Sequence, residues 1–303
     1  MSTTQSTLRH VIDSFKTALG LGERKLETSL AERLVFYGAM GLTLLVTLFP
    51  FYYMAVASLL PESSLYALPP TLIPENPTLD HYRTVFGPDT FPFVTYFTNS
   101  FIVATTTAGA SVIVATFGAY SFARLDYRGR GVISRGVLMV YMFSGILLVV
   151  PMFQVIVWLG FVDSLASLFI TYLVQTLPVS LYMLGNYFRS IPEEIEEAAI
   201  MDGYSRLEVI FKITLPLSAP AIVAVFFFTF MIAWNEYLFA SIFLQSKGVF
   251  TLPIGIEALS SSFRQVWGQI MAASLLTSVP LIVMFTYLEK YMVEGLTFGA
   301  VEG

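Results

Sequence analysis

The chain has 303 residues, of which 56% are apolar and only 12% are charged, and its mean hydropathy is +0.73. Soluble domains usually carry about 25% charged residues, so this composition argues against a soluble enzyme. The net charge of −5 gives no basic excess of the kind that nucleic-acid-binding proteins carry. The chain has no cysteine and two distant histidines, and it contains no P-loop sequence. We therefore expect no catalytic, cofactor-binding or metal-binding residues.

Six long windows contain no Asp, Glu, Lys or Arg, and each is 23 to 34 residues long. A helix needs about 20 apolar residues to cross a bilayer core. Backbone groups inside lipid find no water, so each crossing must be helical. The sequence therefore predicts an all-α membrane protein with six transmembrane helices, at about 34–60, 94–122, 136–158, 164–188, 217–240 and 269–288.

The placement of Lys and Arg predicts the orientation of these helices. If the N-terminus is cytoplasmic, 13 of the 16 basic residues fall on the cytoplasmic side, as the positive-inside rule requires. Both termini are then cytoplasmic. The predicted organisation is a cytoplasmic N-terminal segment with an interfacial amphipathic helix (1–33), a first transmembrane helix with an extracytoplasmic loop (34–93), a core membrane domain (94–290) and a cytoplasmic C-terminal tail (291–303).

The loop between the fourth and fifth spans has explicit helix signals. Ser190 with Glu193 predicts a capping box, and Gly203 predicts a left-handed end to the helix that follows. Ser205 with Glu208 repeats the capping pattern and predicts a second short helix. The sequence therefore predicts a compact helix–turn–helix on the cytoplasmic face.

The same loop reads E-A-A, three residues, G, nine residues and then I-x-L-P, a spacing that resembles the signature of permease subunits of binding-protein-dependent ABC importers. The resemblance implies that the 189–215 loop couples to a separate ATPase, with small alanines that permit close approach. It also implies a type I ABC importer permease fold. The final proline is expected to interrupt the helix before the next span. The residues at the signature are Glu197, Ala198, Ala199, Asp202, Gly203, Ile213, Leu215 and Pro216.

Further segments resemble the carbohydrate branch of these importers, and most closely the second permease of maltose-type and glycerol-phosphate-type systems. They are 184–199, 234–239, 251–255 and the ending 295–303, where Glu302 replaces a more usual basic residue. The ending is expected to reach the ATPase through Gly295, Leu296, Thr297 and Gly299.

The resemblance implies that the chain forms half of the translocation pathway of an ATP-driven sugar importer, in the cytoplasmic membrane of a prokaryote. The implied partners are a second permease, a dimer of ATP-binding cassette ATPases that would hold ATP and Mg, an extracytoplasmic sugar-binding protein and membrane lipid. No nucleic acid is implied. The outer loop 245–269 either faces the binding protein or is a plain solvent-exposed connection. Small residues would keep it adaptable, namely Gly248, Gly255, Gly268 and Ser260–Ser262.

Polar residues near the apolar windows are candidates for the substrate path. Ionisable groups in a membrane are costly, so Glu236 with its neighbour Asn235 is either a pathway group or a structural group at the end of span five. Gln154, Gln175 and Asn186 are further candidates for the path, and a structural role is favoured over substrate binding for each of them.

Other functions remain open on the sequence alone. The same fold would serve a permease for glycerol phosphate or an oligosaccharide derivative. An ion-coupled secondary transporter would need intramembrane carboxylate or cation pairs, of which Glu236 is a marginal example. A membrane-embedded enzyme would need a cluster of polar catalytic groups at the membrane face, and the sequence shows none.

Overall fold

The computed structural model describes residues 30–87, 91–143, 145–260 and 266–298, and within these ranges every regular element is helical. The amphipathic helix expected in 1–33 falls almost wholly outside the described residues, as does Gly299. The chain divides into two units, residues 1–53 and 54–303, which are described separately.

The elements follow one another with short connections. The α-helices are α1 (Leu30–Leu59), α2 (Asp80–Val85), α3 (Phe93–Arg124), α4 (Arg130–Met142), α5 (Gly145–Leu159), α6 (Leu165–Ser190), α7 (Glu193–Met201), α8 (Arg206–Val209), α9 (Leu215–Leu217), α10 (Ala219–Asn235), α11 (Leu238–Phe243), α12 (Leu252–Ser260) and α13 (Trp267–Phe298). Single 3₁₀ turns lie at Glu62–Ser64 and Lys247–Val249, and a π-helical turn, Ile210–Thr214, joins α8 to α9.

In the first unit the described part is most of α1. Its apolar side chains, such as Leu34, Leu45 and Phe49, are exposed, and its window of highest hydropathy has no buried residue. The hydrogen bonds within such a helix satisfy its backbone groups, but its apolar side chains are left without apolar contacts. It therefore requires lipid or another apolar surface around it.

The apolar helices correspond to the predicted spans, with two differences. Within the described residues, α1, α3, α6 and α13 are each long and apolar enough to cross a membrane. The predicted third span consists of two helices, α4 and α5. The predicted fifth span begins at a 78° bend between α9 and α10, and it stops at Asn235 rather than continuing to residue 240. If each bent pair is one span, the count is six.

In the second unit the core is built around α3. Its face toward α6 carries small side chains that are all fully buried, which lets the two backbones approach closely. At Gly118 even a methyl group would overlap the side chain of Leu181 on α6. Helix α10 packs on the same bundle, and α13 packs on α10. The small buried residues of α3 are Ala104, Ala108, Ser111, Ala115 and Ala119.

The outer loop 245–269 is packed against the start of α3 through its described residues. Asn99 donates hydrogen bonds from Nδ2 to the carbonyls of Gly248 (3.0 Å) and Phe250 (2.9 Å). A Cβ atom at Gly255 on α12 would lie 2.7 Å from Tyr96 Cε2. The expectation that Gly255 makes this loop adaptable is therefore wrong, because the glycine is needed for close packing.

A second connection holds the same loop to the start of α6. Asp163 Oδ1 accepts hydrogen bonds from the backbone N–H groups of Gln245 (2.7 Å) and Ser246 (2.9 Å), and Oδ2 accepts one from the Ser246 hydroxyl. The hydrogen bonds from the Ser246 side chain and from both backbone groups lower the pKa of the Asp163 carboxyl. This end of the bundle is therefore fixed by side chain to backbone bonds.

We predict that Gly255→Val lowers the stability of the protein. The added side chain overlaps the Tyr96 ring, and overpacking of this kind costs about 1–3 kcal/mol. The matched control is Gly248→Ala, because nothing lies within 4 Å of a Cβ at that position. The measurement is the midpoint of thermal unfolding in detergent. Equal midpoints for the two variants would contradict the packing role of Gly255.

Candidate coupling site

The coupling segment, residues 191–217, leaves the end of α6 and returns to the start of α10. Helix α7 begins after Pro192, and its first turn carries Glu193, Glu194 and Glu196. Carboxylates there interact favourably with the positive end of the helix dipole. The capping box predicted at Ser190 is wrong. Its hydroxyl donates to the carbonyl of Tyr187 (2.7 Å), because Ser190 is still the last residue of α6.

The turn after α7 confirms the role predicted for Gly203. Its φ of 93° lies in the left-handed region, which disfavours residues with a Cβ atom. The N–H of Gly203 bonds to the carbonyl of Ile200 (3.0 Å), and that of Tyr204 bonds to the carbonyl of Ala199 (3.1 Å). These bonds pair carbonyls at the end of the helix and reverse the chain within two residues.

The second predicted capping box is present at the start of α8. The Ser205 N–H donates to Glu208 Oε2 (2.9 Å), and the Glu208 N–H donates to Ser205 Oγ (3.4 Å). The backbone bond from Ser205 and the contact with Lys212 lower the pKa of Glu208 to about 2. Pro216 does not interrupt the chain as predicted, because it occupies the first turn of α9 and the break comes at Ser218.

One carboxylate of the segment is buried, and it connects α7 to the rest of the bundle. Glu196 is 3% exposed. Its Oε1 lies 3.1 Å from Arg124 Nε and accepts a hydrogen bond from Thr214 Oγ1 (3.1 Å), while Oε2 accepts one from Tyr120 (3.0 Å). We name Tyr120, Arg124, Glu196 and Thr214 the Glu196 cluster.

The arginine of this cluster has further partners. Arg124 Nη2 donates to the carbonyl of Ile191 (2.7 Å), and Nη1 lies 3.5 Å from Glu193 Oε1. The last turn of α3, the start of α7 and the π-helical turn therefore meet at one ion pair. A buried ion pair holds its geometry when its remaining hydrogen bonds are made, as they are here.

The signature residues divide between the surface and the interior. Glu197, Ala198, Asp202, Gly203 and Pro216 are exposed. The other three face this chain's own helices, since Ala199 is buried and Ile213 and Leu215 are half-buried. The close approach expected at Ala199 is therefore an approach within the chain, and Ala198 is the alanine that faces outward.

Large apolar side chains project from the same exposed face. Met201 at the end of α7 is 86% exposed, and Leu207 on α8 is 60% exposed. Ile195 and Phe211 are also exposed. Exposed apolar side chains on a short helical segment beside a glycine turn are typical of a surface that another protein covers.

Within the described residues, no hydrogen bond links Gln154 to Asn235 or Glu236. Glu236 accepts hydrogen bonds from the Tyr172 hydroxyl (2.6 Å) and from the N–H groups of Phe239 (2.9 Å) and Ala240 (3.2 Å). Asn235 donates to the carbonyl of Met231 one turn back, and Gln154 is exposed on α5. These bonds support the structural alternative for Glu236, which joins the end of α10 to the start of α11.

The C-terminal candidates are described in part. Gly295, Leu296 and Thr297 belong to the last turns of α13. Within the described residues, no group of three or more His, Cys, Asp or Glu side chains could hold a metal ion.

Sequence reasoning missed the Glu196 cluster. It counted Glu196 among the acidic residues at the start of a helix, and Arg124 as one of several basic residues at the end of a span. A signal was present, since Glu196 and Ala199 are three residues apart and share one helix face. The residues that contact this face are set by the packing of α3 against α7, which is a tertiary contact.

We predict that Arg124→Ala destabilises the protein by about 3–5 kcal/mol, because it leaves the Glu196 carboxylate buried without its cation. The double variant Arg124→Ala with Glu196→Ala should lose less than the sum of the two single changes. The control is Arg130→Ala, whose partner Asp126 is fully exposed, and which should unfold like the unmodified protein. Thermal unfolding in detergent measures all four variants. Additive losses would show that the ion pair is not the connection.

Comparison with known proteins agrees with this geometry. Residues 109–296 match the family described as binding-protein-dependent transport system inner membrane component. The chain is 48% identical to the inner membrane ABC transporter permease protein YcjP of Escherichia coli, over 90% of this chain and 97% of that protein. It is 36% identical to the trehalose/maltose transport system permease protein MalG of Thermococcus litoralis, over 91% and 99%.

A solved structure shares the fold. It is a bacterial ABC transporter involved in the import of the acidic polysaccharide alginate, with a TM-score of 0.73 and 22% identity over 87% of this chain and 98% of that chain. The fold, the coupling segment and the matches over most of the length lead to one assignment. The chain belongs to the family of binding-protein-dependent transport system inner membrane components.

Proposed function

We propose that this chain is a permease subunit of an ATP-driven sugar importer and forms half of its translocation pathway. The observation that carries the proposal is the coupling segment. It exposes Met201, Leu207 and the Gly203 turn, while the Glu196 cluster holds it rigidly to α3. Such a segment can transmit a displacement of its outer surface to the helices of the bundle.

The proposed partner at this surface is a separate ATP-binding cassette ATPase, which would hold ATP and Mg. The apolar side chains of α7 and α8 would fill a cleft of that subunit, and the exposed Glu197 and Asp202 would lie at the rim of the contact. Closure of an ATPase dimer would then rotate two permeases between inward-facing and outward-facing states.

A second permease and an extracytoplasmic sugar-binding protein complete the proposed assembly. The exposed apolar face of α1 supports a second membrane subunit, with lipid around the rest. The distribution of basic residues supports an orientation with both termini and the coupling segment in the cytoplasm. The similarity to an Escherichia coli permease supports a prokaryotic membrane.

Sugar is the proposed solute class because the trehalose/maltose permease is similar over nearly its whole length. A diacetylchitobiose uptake permease of Streptomyces coelicolor, 30% identical over 84% of this chain, supports the same class. Glycerol phosphate or an oligosaccharide derivative would suit the same architecture. An ion-coupled transporter is disfavoured because the hydrogen bonds of Glu236 are made within the chain.

Gly203→Asp should abolish sugar uptake and the ATPase activity stimulated by the binding protein, because it places a charged side chain at the proposed contact. Gly129→Asp is the matched control. Gly129 also has a left-handed φ, 92°, and open space around its Cβ position, so the backbone cost is the same. Both variants are purified with the ATPase and the second permease and assayed in proteoliposomes. Normal uptake by the Gly203 variant would refute the coupling role.

Truncation after Glu294 tests the proposed contact of the tail. Removal of residues 295–303 should lower the ATPase activity stimulated by the binding protein, while the complex still assembles. Stimulated and unstimulated ATP hydrolysis are compared with those of the full chain. Unchanged regulation would show that the tail does not reach the ATPase.

A further inference from the structure

One face of α6 does not pack into the core of the second unit. Its polar side chains Gln175, Tyr182 and Arg189 are seven residues apart, so they lie on the same side of the helix at intervals of about 10 Å. Tyr182 is 53% exposed, and Arg189 is exposed near the cytoplasmic end of the helix. Asn186 is also exposed, and its Oδ1 accepts a hydrogen bond from Arg189 Nη1 (3.1 Å).

The polar groups on the opposite face of α6 are paired. Thr176 bonds to Ser111 on α3 (2.7 Å), and Ser180 bonds to Thr229 on α10 (3.1 Å). The side-chain amide of Gln175, by contrast, has no hydrogen-bond partner among the described residues. An amide left unpaired in hydrocarbon is costly, so this group requires water or another polar partner.

Gln175 lies on a cavity of about 230 Å³ where α4, α5, α6 and α10 meet. This volume is far above the ~10–15 Å³ that one water molecule needs. The cavity wall also includes Tyr141 and Phe143. A Cβ at Gly145 would lie 3.6 Å from Gln175 Nε2, at ordinary contact distance, so the first turn of α5 runs close to the amide.

We propose that this cavity is a subsite for a polyhydroxylated solute on the transport path. The Gln175 amide would exchange hydrogen bonds with solute hydroxyl groups, and the rings of Tyr141 and Phe143 would pack against the apolar face of a sugar ring. Tyr182 and Arg189, on the same side of α6 but nearer its C-terminal end, line a separate cavity with Phe122 and Ser134. The chemistry is that of small-ligand sites, which combine an apolar lining with a few directed polar groups. The inference rests on the proposed function.

The absence of cysteine from the chain allows a direct test. Gln175→Cys is made in the full complex, reconstituted in proteoliposomes, and treated with a membrane-impermeant, permanently charged methanethiosulfonate reagent. The thiol should react quickly, because the thiolate that attacks the reagent forms in water. Two controls should react slowly. Thr176→Cys lies on the buried face, and Ile282→Cys lies on an exposed apolar face of α13.

Equal reactivity of Gln175→Cys and Ile282→Cys would overturn the proposal, since it would mean that lipid or a helix of the second permease seals this face. A faster reaction of Gln175→Cys that labelled sugar slows would support the subsite. A faster reaction that sugar leaves unchanged would show a wet surface without a subsite and would also overturn it.

Transport measurements separate this inference from the proposed function. Labelled trehalose and maltose are supplied in turn with the binding protein, and Gln175→Leu should take up sugar about tenfold more slowly, as expected for a lost hydrogen bond. Gln175→Asn should restore part of the rate, and ATP hydrolysis should persist in both.

A rate of sugar uptake by Gln175→Leu equal to that of the unmodified protein would count against the subsite. A wild-type complex that takes up neither sugar would count against the proposed function, while the thiol reactivity still decides whether Gln175 lines a water-filled path.

Discussion

The buried ion pair between Arg124 and Glu196 is the interaction on which the candidate site depends. It brings a carboxylate from the coupling segment to the last turn of α3, where two hydroxyl groups complete its hydrogen bonds. Removing two charges from water is expensive, and the geometry must be complete to compensate. The coupling segment is therefore held in one position, although most of its surface faces outward.

The consequence of this connection lies in what α3 touches. A row of small buried residues packs α3 against α6, and the same helix packs against α10. Packed interiors have few voids, so they transmit displacement as rigid elements and do not deform locally. In the proposed importer, a displacement of α7 would be transmitted to α3 through the ion pair and from α3 to α6 through this packing. The polar face of α6, with Gln175 at one end and Arg189 at the other, would then move with it.

The opposite end of the bundle is fixed in a different way. There Asn99, Asp163 and Glu236 each bind backbone groups of a neighbouring loop or helix start. These bonds hold residues 245–250 of the outer loop against α3 and the start of α6. This part of the loop therefore has a fixed position, which suits the proposed contact with a binding protein.

Much of the candidate site could be read from the sequence, because its signals are local. The left-handed turn at Gly203 and the capping box at Ser205 need only their neighbours, and both were predicted correctly. The box predicted at Ser190 failed because α6 continues through that serine, and the length of α6 depends on its packing. The adaptable role expected of Gly255 failed because the glycine's partner, Tyr96, is distant in sequence.

Hydropathy, charge placement and turn chemistry act over short stretches of chain, so the sequence is sufficient to identify a helical membrane protein and to locate its coupling signature. The packing of the helices determines which carboxylate of the acidic run is buried and which alanine faces outward. It also determines that the Gln175 amide on α6 has no hydrogen-bond partner among the described residues. Those outcomes depend on contacts between residues far apart in the chain, such as Arg124 with Glu196, and their cost or benefit arises only when the helices pack and exclude water.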